Sequence, residues 1–557
     1  MNKILKKFSV FAVALLFVGP ACTNLDEELY SAVTSDNFFQ TEEEFIAALG
    51  QAYSSLSGIG NHSNLWSSNE ISSDELIITT KGGDWFDGGI LIQLHQHSWT
   101  PDNGFFNNTW TFIYGGINTC NRLIFQFEEL KAGGNQDADA FIAELRGVRA
   151  LWYYWALDAF GNVPLSIDFT DTDPPANNSD FQAGRQAVFN FIESELSAII
   201  PLLDETVGGT AYARFNRATA YALQSKLYLN AEVYTGTPRY ADAITAADNV
   251  MSYGYSLSGS YSDNFAINNS GSPENIFVVA FDKVFNGGFN WAAMTLHYAS
   301  QNTFNFTFQP WNGYAVVEEF YNSYVDPAQN PGPQGGVWTG LAPFDPANDK
   351  TPNDVGTLDS RLSNFLVGPQ FNADGTPTID PAVEDFDPDG SRLNFTPENN
   401  MINPNGWRQG GARIYKYPYE LGGTENASND FVIFRLADIM LTKAEAQWRS
   451  GNTAGALAIV NQIRARANVD PLTDLDGPLS FDLTGGDVSG GEILNERGRE
   501  MFAELTRRQD LIRFGVFNEV WWEKPDASSS TYEVFPIPQP QIDASSALNQ
   551  NPGYFGG

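Results

Sequence analysis

Acid–base and metal chemistry near neutral pH draws on histidine and cysteine. This 557-residue chain has four histidines, His62, His95, His97 and His297, and two cysteines, Cys22 and Cys120. No nucleophile elbow, P-loop or dinucleotide fingerprint accompanies them, and no Cys–His pair stands ready for activation. His95-x-His97 in LIQLHQHSW could hold a metal, but the alternation reads more simply as two side chains on one strand face. With 67 acidic residues, some carboxylates must fall at glycosidase distance by chance, so spacing selects no catalytic pair. DFDPDG, with Asp385, Asp387 and Asp389, matches the opening of a calcium loop, where alternating carboxylates converge on one hard cation. Its twelfth position is Thr396 where a bidentate Glu belongs, so the segment is either a structural calcium site or a plain acidic turn. No other cofactor is called for.

Planar aromatic faces are the better-supplied chemistry: Phe, Trp and Tyr make up 14% of the chain, with 13 Trp. Sugar rings present flat C–H faces that stack on indole and phenol while polar side chains take the hydroxyls. Trp110, Trp152, Trp155 and Trp448 recur at helical spacing and read as core. Trp85 differs, because KGGDWFDGG surrounds it with Gly82, Gly83, Gly88 and Gly89 and with Asp84 and Asp87, which is the setting of an exposed loop aromatic. A net charge of −36 repels polyanions, which argues against nucleic acid, anionic glycans and anionic lipid surfaces and for a neutral or weakly charged ligand. Low lysine content and strong acidity suit saline surroundings, and a marine β-glucan is the ligand they suggest.

The elements that must position such a site are mainly helical. Apolar residues at three- and four-residue spacing predict helices from Thr41, over Asn107–Leu130 and Ala138–Phe160, and over Phe181–Leu203 and Asn216–Tyr234. Asn216–Met251 and Phe434–Asn468 each have the length and texture of a tetratricopeptide pair. Two pairs are too few for a stable solenoid, so the earlier helices must stack with them. Between about residues 255 and 430 the texture turns to Gly, Pro, Asn, Asp and aromatics, which predicts an irregular lobe set into a helical scaffold of about 41–254 and 431–520. A long loop over 58–106 is expected to join that lobe. The fold class is therefore mainly α, a scaffold of helix pairs carrying a loop-rich lobe.

The N-terminus MNKILKKFSVFAVALLFVGPAC has a basic start and an apolar run from Phe8 to Val18, too short to cross a bilayer. It reads as a signal peptide over 1–21 that leaves Cys22 to be acylated, making 22–557 a lipid-anchored body. A Cys22–Cys120 disulfide and simple cleavage are the alternatives. Gly19 and Pro20 depart from the usual lipoprotein signal. Asp26, Glu27 and Glu28 resemble the surface-export tag of Bacteroidota lipoproteins, or form an ordinary solvated tether.

Four segments in order resemble the SusD/RagB family of outer-membrane nutrient-binding lipoproteins. They are RGVRALWYYWALDAFGNVPL, with Phe160 for the family's Tyr, and FRLADIMLTKAEA, with Leu436 for its Tyr, followed by ILNERGREMFAELTRRQDLIRFG and FPIPQPQIDASSALNQNPGY. The resemblance implies four tetratricopeptide-like pairs supporting a loop-rich lobe. It also implies capture of an oligosaccharide, or a peptide in the RagB branch, as the lid of a SusC-like TonB-dependent outer-membrane barrel. It further implies a binding face drawn from the first long loop and the central lobe, which adds Trp66, Trp291, Trp311 and Trp338 to Trp85 and Asp84. Glu496, Arg499, Glu504, Arg508, Asp510 and Arg513 would then be an ion-pair network and not a catalytic set. A secreted glycoside hydrolase is the rival from another class.

Overall fold

Sequence periodicity becomes packed helix in a computed structural model that describes residues 42–132, 138–325, 359–381, 391–480 and 486–555. Residues 46–557 form one unit, and the described residues before it are the first turn of helix α1 (Glu42–Ser55). After α2 (Leu65–Ile71) and α3 (Ile90–Gln96) come α4 (Gly104–Ala132), α5 (Ala138–Phe160) and α6 (Phe181–Ile199), each packed on the next from α4 to α6. The close approach of α4 to α5 depends on Gly116, where a Cβ would lie 2.0 Å from the Trp152 indole. Trp152, Trp155 and Trp110 are buried, as their helical spacing predicts.

The two tetratricopeptide-like pairs are present as α7 (Arg217–Leu229) with α8 (Tyr240–Met251) and α9 (Leu436–Arg449) with α10 (Thr453–Arg466), and α8 packs on α9 to join them. Asn216 caps α7 by accepting from Thr219 N. The helix expected over Asn216–Tyr234 breaks at Asn230, whose side chain bonds Lys226 O and accepts from Arg513, before a short turn resumes at Ala231–Thr235.

Two corrections concern the segment over 58–106. Expected as a loop, it contains α2, α3 and strand β1 (Leu76–Ile78), with every residue from Leu65 to Lys81 buried. His95 lies on α3 and not on a strand, and His97 follows it with φ 51°. Both imidazoles are buried apart from any metal cluster: His95 Nε2 pairs with Trp522 O at 2.7 Å, and His97 bonds Ser72 O and Ser528 Oγ, each at 2.9 Å. Among the described residues no group of three His, Cys, Asp or Glu could hold a metal ion. Asp385, Asp387 and Asp389 lie outside the described residues, as do Cys22 and Trp338. Within the described residues no helix is long and apolar enough to cross a membrane.

The lobe is loop with short antiparallel pairs. β2 (Asn275–Val279) pairs with β4 (Phe431–Arg435), Asn275 opposite Arg435, which places the start of α9 against the lobe. β1 pairs with β3 (Tyr314–Val316), Leu76 opposite Val316. The terminal motif closes the C-terminal end of α5: Asn551 Nδ2 donates to Phe160 O and Phe535 O, both at 2.8 Å, and Phe535 N to Ala159 O at 2.7 Å.

Helices α11 (Gly491–Met501) and α12 (Arg507–Arg513) carry the acids and arginines of the third motif into the interior. Glu496 accepts from Arg361 at 2.7 Å, Arg464 at 2.9 Å and Arg499 at 2.8 Å. Arg435 reaches Glu274 and Glu504, each at 2.8 Å, and Glu500 at 2.6 Å, while Arg361 and Arg466 also reach Glu500. Burial pushes the Glu500 carboxyl up, but Arg466, Arg435 and Arg361 outweigh it and hold the pKa at about 2, against an ordinary 4.5. A depressed folded-state pKa stabilises fully above the unfolded value, so this contribution is complete above about pH 4.5 and is lost as pH falls toward 2. Glu500→Gln leaves Arg435 and Arg466 short of an anion and should cost about 3–5 kcal/mol in urea unfolding at neutral pH, with less loss on further acidification than the parent shows. Unfolding curves that coincide at neutral pH would contradict the assignment.

Candidate functional site

The turn at Lys81–Asp84 closes through Lys81 N to Asp84 O at 3.0 Å and Asp84 N to Lys81 O at 3.2 Å. Thr80 N to Ile402 O at 2.7 Å and Gly406 N to Thr80 O at 2.8 Å join it to a loop of the lobe. Trp85 follows with φ 64°, a left-handed conformation that turns its indole back over Gly313. A Cβ at Gly313 would clash with Met294 O at 2.8 Å and crowd Trp85 Cζ2 at 3.1 Å, so glycine lets the ring lie close to this backbone. Trp85 Nε1 donates to Trp311 O at 2.8 Å. Trp311 is held by its own N–H to Ala293 O at 2.6 Å and meets the His62 ring edge-on at 5.3 Å. Trp85 and Trp311 are both half-buried, and the adjoining Phe86 is 48% exposed.

A polar edge adjoins this aromatic pair. The exposed Asp84 carboxylate accepts from the Tyr298 hydroxyl and lies 3.9 Å from the Arg408 guanidinium, which sits 5.6 Å over the Tyr298 ring. Burial, followed by the hydrogen bond to Asp84 and then the Asp84 charge, pushes the Tyr298 phenol well up, so it stays a proton donor at any physiological pH. Burial lowers the His62 pKa, and His62 Nδ1 is 3.0 Å from Asn290 Nδ2, so this imidazole is a neutral hydrogen-bonding group. Buried Asn312 fixes the base of the edge, donating to Arg408 O at 3.1 Å and accepting from Arg413 at 3.0 Å. The arrangement offers flat apolar faces beside a carboxylate, a phenol and a guanidinium, and so suits a ring with an apolar face and hydroxyl edges.

The structure thus brings Trp85, Asp84 and Trp311 together. Trp66 and Trp291 need correction: they are 0% and 1% exposed and present no face to a ligand. Their rings lie 4.2 Å apart, Trp66 meets Tyr314 of β3 at 5.2 Å, and Trp66 Nε1 donates to Ala503 O at 3.0 Å. They pack beneath the site and are not part of it. Tyr298, Arg408 and His62 escape the sequence reading. Arg408 stands in NGWRQGG, a glycine-flanked aromatic segment of the kind that marks Trp85, whereas nothing local marks Tyr298.

Helix pairs carrying a loop-rich lobe are the build that the resemblance to the SusD/RagB family implies. The chain belongs to the SusD family, whose model matches residues 273–554, and a model described as "Starch-binding associating with outer membrane" matches residues 25–229. It is 27% identical over 535 residues to the "Starch-binding protein SusD" of Bacteroides thetaiotaomicron, covering 89% of this chain and 86% of that one. Two solved structures share the fold. A "Laminarin binding SusD-like protein" has TM-score 0.66 at 21% identity, with 93% of this chain and 100% of that one covered. "Surface glycan-binding protein A" of Bacteroides thetaiotaomicron in complex with laminarihexaose has TM-score 0.65 at 20% identity, with 92% and 99% covered.

The two classes of tryptophan should separate in unfolding experiments. Trp66→Ala removes a buried hydrogen bond and a ring packed against Trp291 and Tyr314 and should cost about 3–5 kcal/mol. Trp85→Ala should cost about 1 kcal/mol or less, because its ring is half-solvated on a glycine-rich turn. Equal losses would show that Trp85 is a packing residue.

Proposed function

We propose that this protein binds a neutral oligo- or polysaccharide on the Trp85–Trp311 platform without altering it chemically. The observation that carries the reading is the Trp85 indole held over Gly313 by its bond to Trp311 O, with the Asp84 carboxylate beside it. In this reading the indoles stack on the sugar ring, while Asp84, Tyr298 and Arg408 take its hydroxyls. A neutral chain is favoured because the protein's charge of −36 would repel an anionic one. The names of the relatives, a starch-binding protein and laminarin- and laminarihexaose-binding structures, support a glucan, and we favour a β-glucan among them.

In the same proposal Cys22 carries the lipid that anchors the body outside the outer membrane, and a SusC-like TonB-dependent barrel receives the captured glycan. The signal-like N-terminus and the outer-membrane description of the family model support this placement. Residues 22–557 then act as one binding body.

Titration calorimetry with laminarihexaose, maltohexaose and an unrelated hexapeptide tests the reading, with product analysis after long incubation. Laminarihexaose should bind and be recovered intact. Trp85→Ala should weaken it about five- to hundredfold, the equivalent of about 1–3 kcal/mol for an aromatic anchor. Binding of the peptide alone, or release of reducing ends, would overturn the proposal.

A further inference from the structure

Glu70, on α2, and Glu75, just before β1, are 1% and 0% exposed, and both hold the same turn. One oxygen of each is accounted for: Glu70 Oε1 accepts from Leu505 N and Glu75 Oε2 from Ala503 N, both at 2.8 Å. The other two, Glu70 Oε2 and Glu75 Oε1, are buried and meet no N–H or O–H donor. The two carboxyls instead hydrogen-bond each other. They can do so only when one of them carries a proton, which supplies the donor that the remaining oxygens lack.

The neighbouring charges leave the pair no other solution. Lys416 and Glu504 face Glu70, Asp74 and Arg507 face Glu75, and the Tyr314 and Tyr324 phenols face the pair from β3 and the lobe. Both cations are engaged: Arg507 bonds Asp74 through Nε and Nη2, each at 2.7 Å, and Lys416 bonds Glu504 at 2.5 Å and Phe502 O at 2.6 Å. With Asp74 and Glu504 taking the cations, full ionisation would set Glu70 and Glu75 against each other as like charges away from water. Burial pushes both carboxyls up, Glu70 from an ordinary 4.5 to about 7, and the Glu70 charge raises Glu75 further.

We propose that Glu70 and Glu75 share a proton at neutral pH and that this proton fastens the turn over 501–505, a pH-sensitive lock beneath the Trp85–Trp311 platform. Its loss drives the two carboxylates apart and loosens their hold on Ala503 N and Leu505 N, residues kept at left-handed φ of 59° and 60°. Ala503 O also accepts from the Trp66 indole, so the loosening reaches the packing under the platform. An acid whose folded-state pKa is raised holds its proton more tightly folded than unfolded. The pair's contribution is therefore full below about pH 4.5 and is lost as pH rises through about 7. The inference stands whichever ligand the platform takes.

Urea unfolding of the full chain from about pH 5 to about pH 9 tests it, with the parent set beside Glu70→Gln, Glu75→Gln and the double variant. Glutamine still accepts the backbone N–H and replaces the shared O–H with an amide donor that does not titrate. The parent's midpoint should fall relative to the double variant's as pH rises, each single variant lying between them. Calorimetry in buffers of different ionisation enthalpy should show unfolding at about pH 7 releasing about one proton more from the parent than from the double variant. Infrared spectroscopy needs no variant: the carbonyl stretch of a protonated carboxyl should persist in the folded parent at about pH 7 and vanish on unfolding. Absence of that band, midpoints that run parallel with pH, or equal proton release would overturn the proposal.

Discussion

A buried ionic lattice around Arg435, Arg361, Glu496, Glu500 and Glu504 is the constraint on which the rest of the structure rests. Those five residues are at most 4% exposed, yet they and their partners come from far-apart parts of the chain: Arg361, Glu274 and Lys416 from the lobe, Arg464 and Arg466 from α10, and the other glutamates from α11 and the turn after it. Taking this many charges out of water is unfavourable unless each finds its partners, so the lattice is all-or-none in character. It lets a lobe with little regular secondary structure adopt one position on the helices.

The same lattice reaches the platform through the turn over residues 501–505. Lys416 donates to Phe502 O at 2.6 Å and to Glu504 at 2.5 Å. Ala503 and Leu505, at φ 59° and 60°, donate to Glu75 and Glu70, both at 2.8 Å. Trp66 bonds Ala503 O and packs on Tyr314, and β3 continues back into Gly313, Asn312 and Trp311, on which the Trp85 indole rests. Ion pairs thus set a turn, the turn sets a buried indole, and the buried indole backs the strand that presents the half-exposed ones.

Much of the scaffold was legible because helices announce themselves by period and by stops such as Gly161 before Pro164. The six ionic residues of the third motif were legible as a network, but Arg361 and Arg464, which pair with Glu496, and Arg435, which pairs with Glu504, lie where no local spacing can connect them. Trp85 carried its own signal in its glycines. Trp66 and Trp291 entered only by resemblance, and burial, which local sequence did not encode, moved them beneath the site. Tyr298 and Arg408 meet Asp84 only through tertiary folding.

Hydrogen–deuterium exchange of a Glu504→Gln variant tests the coupling between lattice and platform most directly. Removing this anion weakens Lys416 and Arg435 at once, so exchange should accelerate together in the turn over 501–505, in β3 and in the turn over 81–84, while α7 and α8 stay as protected as in the parent. Acceleration confined to residues 501–505, with β3 and the Trp85 turn unmoved, would contradict the account.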